Sequence, residues 1–224
     1  MKKLALIITT LLLSVSVFAQ QDVTKFLGIP IDGFKPEMIK KLKAKGFVEH
    51  PYSSDVLLGE FNGNDVIVNI VTNNNKVYRI FLEDRYGVSE ADIKIRFNTL
   101  CRQFDNNERY LSAKEKGGFI IPEIEDISYQ MSVNSKRYEA AFYQTPSNPQ
   151  DLNERINAKY TSEQLANPTE EIKSDLMKMA EEYGAELGNM MNKIVWFMII
   201  EDEGKYKILM FYDNKHNQAN GEDL

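Results

Sequence analysis

Apolar and polar residues alternate along several short segments of this chain, the pattern of strands with one buried face. The alternating segments are residues 65–71, 76–83, 127–133 and 137–143, and the third is the most regular. In the second segment, Tyr78, Ile80 and Leu82 are expected to point inward. Asn62-Gly63, just before the first segment, is typical of a two-residue hairpin turn. Polar turns are also expected at residues 73–75 and 202–204, so the pattern predicts a series of antiparallel hairpins.

Other segments repeat their apolar residues at helical spacing. The clearest stripe follows a cap at Ser89 and consists of Ile93, Phe97, Leu100, Cys101 and Phe104. A first helix is expected from Pro36 to a left-handed cap at Gly46. A long helix is expected to start at Asn167-Pro168-Thr169-Glu170, with Asn167 as its cap, and its apolar face reaches Leu187.

Residues 194–200 form an unbroken apolar run near the end of the chain. Such a run predicts a central strand covered on both faces, and residues 170–187 are the candidate cover for one face. Seven residues are too few to cross a bilayer, which takes about 20 in a helix.

Hairpins separated by helices indicate an α+β protein, with an antiparallel sheet and helices packed on one of its faces. The pattern leaves open whether there is one sheet or two small ones, and whether two similar units follow each other. The predicted division is an N-terminal unit at 20–144, C-terminal helices and a hairpin at 145–212 that complete the sheet, and a disordered tail at 213–224.

The first residues have the composition of a secretory signal peptide. Two lysines precede an apolar run, and Val17-Phe18-Ala19 offers suitable residues for cleavage after Ala19. The apolar run, about 14 residues, is short for a membrane span. We therefore expect residues 1–19 to be removed, the mature protein to be periplasmic or secreted, and no membrane span to remain.

Charge and composition narrow the range of partners. The chain has a formal net charge of −6, and removal of the leader takes away two lysines and no acid. An acidic, evenly mixed surface is unfavourable for nucleic acid and for anionic lipid. We expect no nucleic-acid partner, and the predicted partner is a protein or glycan of the cell envelope.

Few residues suit catalysis or metal binding. The chain has one cysteine, Cys101, on a predicted buried stripe, and two histidines, His50 and His216. No HExxH, Cys-x-x-Cys or G-x-S-x-G sequence occurs, so we predict no catalytic residues, no metal site and no cofactor. The alternative is a periplasmic hydrolase with paired carboxylates, for which Glu83, Asp84, Glu123, Glu125 and Asp126 are the candidates.

Three aromatic residues fall at strand positions whose outer face lacks an assigned cover. They are Phe81, Tyr143 and Phe211. On an open sheet face they would anchor a partner, whereas under a layer of helices they would be core residues. The sequence therefore predicts a non-catalytic binding or protein-interaction module, with these three as candidate binding residues.

Two stretches near the start carry a resemblance to known proteins. Residues 26–33 read FLGIPIDG and residues 38–47 read MIKKLKAKGF, followed by GEFNG at 59–63. Over residues 26–143 the sequence resembles uncharacterised secreted proteins of Bacteroidetes, which implies an exported α+β protein and no assigned active site. The order of a helix followed by hairpins is also similar to the β-lactamase-inhibitor-protein architecture, whose members bind proteins through a sheet.

Overall fold

The computed structural model describes residues 22–145 and 151–219, so the predicted signal peptide at 1–19 lies outside the described residues. The α-helices are α1 (Lys35–Lys43), α2 (Glu90–Asp105), α3 (Ile127–Ser132), α4 (Leu152–Lys159), α5 (Ser162–Ala166) and α6 (Glu170–Met190). The strands are β1 (Lys25–Phe26), β2 (Ile29–Pro30), β3 (Val48–His50), β4 (Ser53–Phe61), β5 (Asn64–Asn73), β6 (Lys76–Asp84), β7 (Tyr110–Ser112), β8 (Glu139–Gln144), β9 (Lys193–Asp202) and β10 (Lys205–Asn214).

Eight strands form one antiparallel sheet in the order β3-β4-β5-β6-β10-β9-β8-β7. The strands β1 and β2 pair separately. The predicted α+β class with an antiparallel sheet is therefore confirmed. Strands from both halves of the chain meet at the centre, where β6 lies beside β10, so they belong to one sheet.

From each edge of the sheet to its centre, the strands follow one another in chain order: β3 to β6 from one edge and β7 to β10 from the other. The helix α1 precedes β3 to β6, and α2 precedes β7 to β10, with α3 to α6 inserted in the second series. Each series runs from an edge of the sheet to its centre. Because β6 and β10 are antiparallel neighbours, the two halves join through a continuous ladder of hydrogen bonds.

The hydrophobic core lies between α1, α2 and one face of the sheet, which we call the inner face. The predicted stripe of α2 is buried, and so are the alternate residues Val66, Val68 and Ile70 of β5. Phe104 of α2 stacks on Phe142 of β8, with ring centroids 4.7 Å apart. This packing confirms the helical period at 93–104 and the alternation in β5.

Two turn predictions are also confirmed. Asn62 and Gly63 have φ values of 52° and 74°, the left-handed conformation that lets β4 and β5 pair tightly. Gly46, with φ 100°, ends the first helical segment, and the amide of Phe47 donates back to the carbonyl of Leu42.

The strand predicted at residues 127–133 is wrong, because Ile127–Ser132 form helix α3. Asp126 caps this helix by accepting a hydrogen bond from the amide of Tyr129. Within the helix only Ile127 is buried, while Met131, one turn later, packs partly against the core. The alternating pattern also fits a short helix, because six helical residues need only one apolar pair at i and i+4, here Ile127 and Met131, to pack on the core.

The central position predicted for residues 194–200 is confirmed, because β9 lies between β10 and β8, but the cover predicted for its outer face is incomplete. The inward residues of β9 are buried, whereas Ile194, Trp196, Met198 and Ile200 are only partly buried. Helix α6 contacts α4 and, less extensively, β9. Its cap is Thr169 rather than the predicted Asn167.

The end of β10 and the orientation of Tyr78 also differ from the predictions. β10 continues to Asn214, and a 3₁₀ turn follows at Lys215–Asn217, so order extends beyond the predicted start of the tail at residue 213. Tyr78, expected to point inward, is half exposed because the β5–β6 register shifts between Val71 and Thr72. Across residues 22–145 and 151–219, no helix is both long and apolar enough to span a bilayer.

Candidate functional site

The candidate site is the outer face of the sheet, the face that points away from α1 and α2. The register places one residue from each of four neighbouring strands in a line across it. Phe81 of β6 pairs with Phe211 of β10, which pairs with Trp196 of β9, which pairs with Ala141 of β8. All four side chains are partly buried, and each keeps a minor part of its surface exposed.

The three rings in this line, Phe81, Phe211 and Trp196, stack on one another and are called the aromatic row. The centroids of Phe81 and Phe211 are 5.0 Å apart with the planes 9° from parallel. Those of Phe211 and Trp196 are 4.0 Å apart at 14°. These spacings are close to the ~4.8 Å between neighbouring strands. The rings therefore stand upright on the sheet, with their faces towards each other and their edges towards solvent.

An ion pair fixes one side of the aromatic row. Arg79 of β6 donates from Nε and Nη2 to the two carboxylate oxygens of Asp213, at 2.6 and 2.8 Å. The indole Nε1 of Trp196 donates to Oδ2 of the same carboxylate at 3.0 Å. The guanidinium carbon of Arg79 lies 4.9 Å from the centroid of Phe211. Asp213 thus orients both the cation and the indole ring.

The surroundings of this ion pair keep Arg79 charged. Hydrogen bonding to Asp213 raises the pKa of Arg79 above its usual value, although partial burial acts in the opposite direction. The Asp213 side chain is only 6 % exposed, against 24 % for that of Arg79. The pair is therefore a fixed, partly shielded part of the face.

At the other end of the aromatic row the small side chain of Ala141 stands beside the indole of Trp196, and we call this position the notch. Phe211 covers one face of the Trp196 indole, and the other face is turned towards β8. The methyl group of Ala141 is too short to cover that second face, and Ala141 stays half exposed while its inward neighbour Ala140 is 1 % exposed. Tyr143 and Glu139 lie on the same face of β8, on either side of Ala141.

An apolar belt extends on both sides of the aromatic row. We define it as the outer-face apolar side chains of β4, β5, β6, β8, β9 and β10, including Leu58, Ile67, Leu209, Met198 and the aromatic row itself. The charges beside it are paired: Lys207 contacts Glu83 at 3.0 Å and Asp202 at 3.1 Å. Hydrogen bonds to these two carboxylates raise the pKa of Lys207.

The structure places Phe81, Tyr143 and Phe211, the candidate residues from the sequence, on this one face. Phe81 and Phe211 are in direct contact, whereas Tyr143 lies on β8 and pairs with Ile194. Sequence reasoning missed Trp196, Arg79 and Asp213. Trp196 lay in a run that looked buried on both sides, and Asp213 lay in the predicted tail, 134 residues from Arg79.

The carboxylates proposed for a hydrolase lie in different surroundings. Glu83 points to the outer face and binds Lys207, while Asp84 points inward and binds Arg96 at 2.7 Å and the amide of Ile208 at 3.0 Å. Glu125 accepts hydrogen bonds from Lys136 and from the hydroxyl of Tyr138. The Lys136 contact is the main reason why the pKa of Glu125 is lowered. A general acid requires a raised pKa, and the hydrolase alternative stays a prediction.

Cys101 and His50 lie on different elements, α2 and β3. Cys101 is buried, and this burial raises the pKa of its thiol to about 12, which favours the unreactive protonated form. His50 accepts a hydrogen bond from the amide of Tyr52 in the β3–β4 connection. Among the described residues, no three His, Cys, Asp or Glu side chains are grouped so as to hold a metal ion.

Comparison of the chain with protein-family models, with curated proteins and with solved structures found no match.

Proposed function

We propose that this protein is an exported, non-catalytic interaction module that binds a macromolecule of the cell envelope through the outer face of its sheet. The observation that carries the proposal is the aromatic row, held upright on an uncovered face by Arg79 and Asp213. Aromatic residues and arginine are enriched at protein interfaces, where they supply most of the binding energy.

The rigidity of the row supports this role. Each ring is fixed by a neighbouring strand, and Trp196 is also held by a hydrogen bond to Asp213. A side chain that is already ordered loses little conformational entropy when a partner covers it. The burial of half-exposed rings would then contribute directly to affinity.

The location and the partner class follow from the sequence. The leader-like residues 1–19 favour the periplasm or secretion, and the acidic chain favours an envelope protein or glycan over nucleic acid or anionic lipid. The resemblance to secreted Bacteroidetes proteins and to the β-lactamase-inhibitor-protein architecture agrees with this proposal, and both remain expectations.

The test is capture from the envelope fraction of the native organism by three immobilised forms of the purified protein. They are the natural sequence, Met198→Lys on the outer face, and Ile95→Lys as a matched control on α2, where Ile95 is 66 % exposed. We expect the same protein or glycan to bind the natural sequence and Ile95→Lys, and at least tenfold less of it to bind Met198→Lys. Equal capture by all three forms, or no specific capture, would contradict the proposal.

A further inference from the structure

We propose that the partner of the outer face is a second copy of this chain, in a symmetric dimer with two sheets packed face to face. This inference rests on the proposed function of the face as a binding surface and names its occupant. Sheets that pack in this way lie about 10 Å apart, with strand directions within about 30° of each other.

The size of the apolar belt fits such a dimer. It spans six strands, and along β9 it extends from Ile194 to Ile200. At the usual strand spacing and rise, this part of the outer face measures roughly 29 Å by 20 Å, or about 600 Å² in projection. It contains the polar side chains of Asn69, Arg79 and Lys207 as well as the apolar ones. The relief of the side chains increases the accessible area towards the ~800 Å² per partner of a standard protein interface.

The shape of the face is self-complementary. A dimer with a two-fold axis uses the same patch on both copies, so the patch must contain both a ridge and the groove that receives it. Here the aromatic row is the ridge and the notch over Ala141 is the groove, and they meet at Trp196. A two-fold axis near Trp196 would place the row of each copy against the notch of the other.

The charges allow two copies to approach. The chain has a net charge of −6, and molecules of like charge repel each other in general. On the outer face, however, Asp213 is paired with Arg79, and Lys207 is shared by Glu83 and Asp202, which leaves one excess negative charge beside the apolar belt. Two such faces can meet without bringing unpaired carboxylates together at their centre.

The chain contains a built-in probe for this contact, because Trp196 is its only tryptophan. The experiment measures mass by light scattering and sedimentation, and Trp196 emission and acrylamide quenching, from about 1 µM to about 500 µM purified protein. We expect the mass to rise from one chain to two. In parallel, the emission should shift to shorter wavelength and quenching should fall at least twofold.

Two variants test the contact surface, one by changing its shape and the other by adding a charge. Ala141→Phe fills the notch with an apolar ring, and Leu209→Lys places a charge in the apolar belt, where Leu209 is half exposed. Ile95→Lys on α2 is the control for the added charge. Circular dichroism and thermal unfolding at the lowest concentration establish that each variant is folded before its mass is compared.

The dimer is supported if the natural sequence and Ile95→Lys dimerise and if Ala141→Phe and Leu209→Lys weaken dimerisation at least tenfold. It is overturned if the natural sequence stays monomeric throughout, or if both outer-face variants dimerise as well as the control. A monomer that still captures an envelope partner through Met198 leaves the proposed function intact and rejects only the second copy. Loss of capture with dimerisation retained would reject an envelope partner and keep the dimer.

Discussion

The two faces of the sheet are built from alternate residues of the same strands and differ in what covers them. In β9 the inward residues Val195, Phe197 and Ile199 are at most 1 % exposed, while their outward neighbours Trp196 and Met198 are only partly buried. Both sets are strongly apolar. The difference shows that an apolar side chain favours burial but does not ensure it. Burial also requires a neighbouring helix or strand that covers the side chain.

Each face also holds an arginine–aspartate pair. On the inner face Asp84 binds Arg96 and the amide of Ile208, which links α2 to β6 and β10. On the outer face Asp213 binds Arg79 and Trp196. The Arg96 side chain is 14 % exposed and that of Arg79 is 24 % exposed, so the outer cation has better access to water. The inner pair fixes the fold, and the outer pair shapes a surface.

The largest expected effect comes from truncating one apolar residue on each face of β9. Phe197→Ala should lower the free energy of unfolding by about 3–5 kcal/mol, because it leaves a cavity among Phe97, Phe104 and Phe142. Met198→Ala should cost about 1 kcal/mol, since a half-exposed side chain loses fewer contacts. Denaturant unfolding at low protein concentration measures both, and equal losses would show that the faces are equally well packed.

A smaller difference is expected between the two ion pairs. Asp84→Asn should cost about 3 kcal/mol, because Arg96 is left charged and poorly hydrated. Asp213→Asn should cost about 1–2 kcal/mol, because Arg79 can turn towards water. Trp196 emission should change in Asp213→Asn and not in Asp84→Asn. The comparison fails if the order of the two stability losses is reversed.

The pH dependence of stability tests Glu125, which lies beside the buried Tyr138. Its pKa is lowered in the folded protein from an ordinary value of 4.5, so the folded state binds this proton less tightly than the unfolded state does. The stability from its contacts is present above pH 4.5 and is lost as the pH falls through the lowered pKa. Glu125→Gln should therefore lose less stability than the natural sequence between about pH 6 and about pH 3. Identical acid unfolding curves would contradict this role.

Chemical labelling of cysteine thiols compares the two faces with the least change to the protein. Cys101 is buried and its pKa is raised to about 12, so we expect no reaction with a thiol reagent until the protein unfolds. A cysteine introduced by Met198→Cys on the outer face should react at least a hundredfold faster in the folded protein. Rapid labelling of Cys101 in the folded state would indicate that the inner layer opens easily.

Turns and helices could largely be predicted where residues close together in the sequence determine the backbone conformation. The turn at Asn62-Gly63 follows from residues that tolerate positive φ, and α2 follows from a five-residue apolar stripe behind a capping serine. The prediction failed at residues 127–133, where apolar alternation suited a strand but Asp126 and the core selected a helix. Of the site, Phe81 and Phe211 could be proposed from the sequence, but their stacking could not.

By itself the sequence determined the antiparallel hairpins, the main helices and the acidic, cysteine-poor character of this protein, since these depend on composition and on contacts within a few residues. Only the tertiary structure decided which face of the sheet stays open. It also decided that Arg79, Phe211, Trp196 and Asp213 meet there. The physical reason is that strand order brings β6, β9 and β10 together across more than 100 residues of chain, and local preferences carry no information about that pairing.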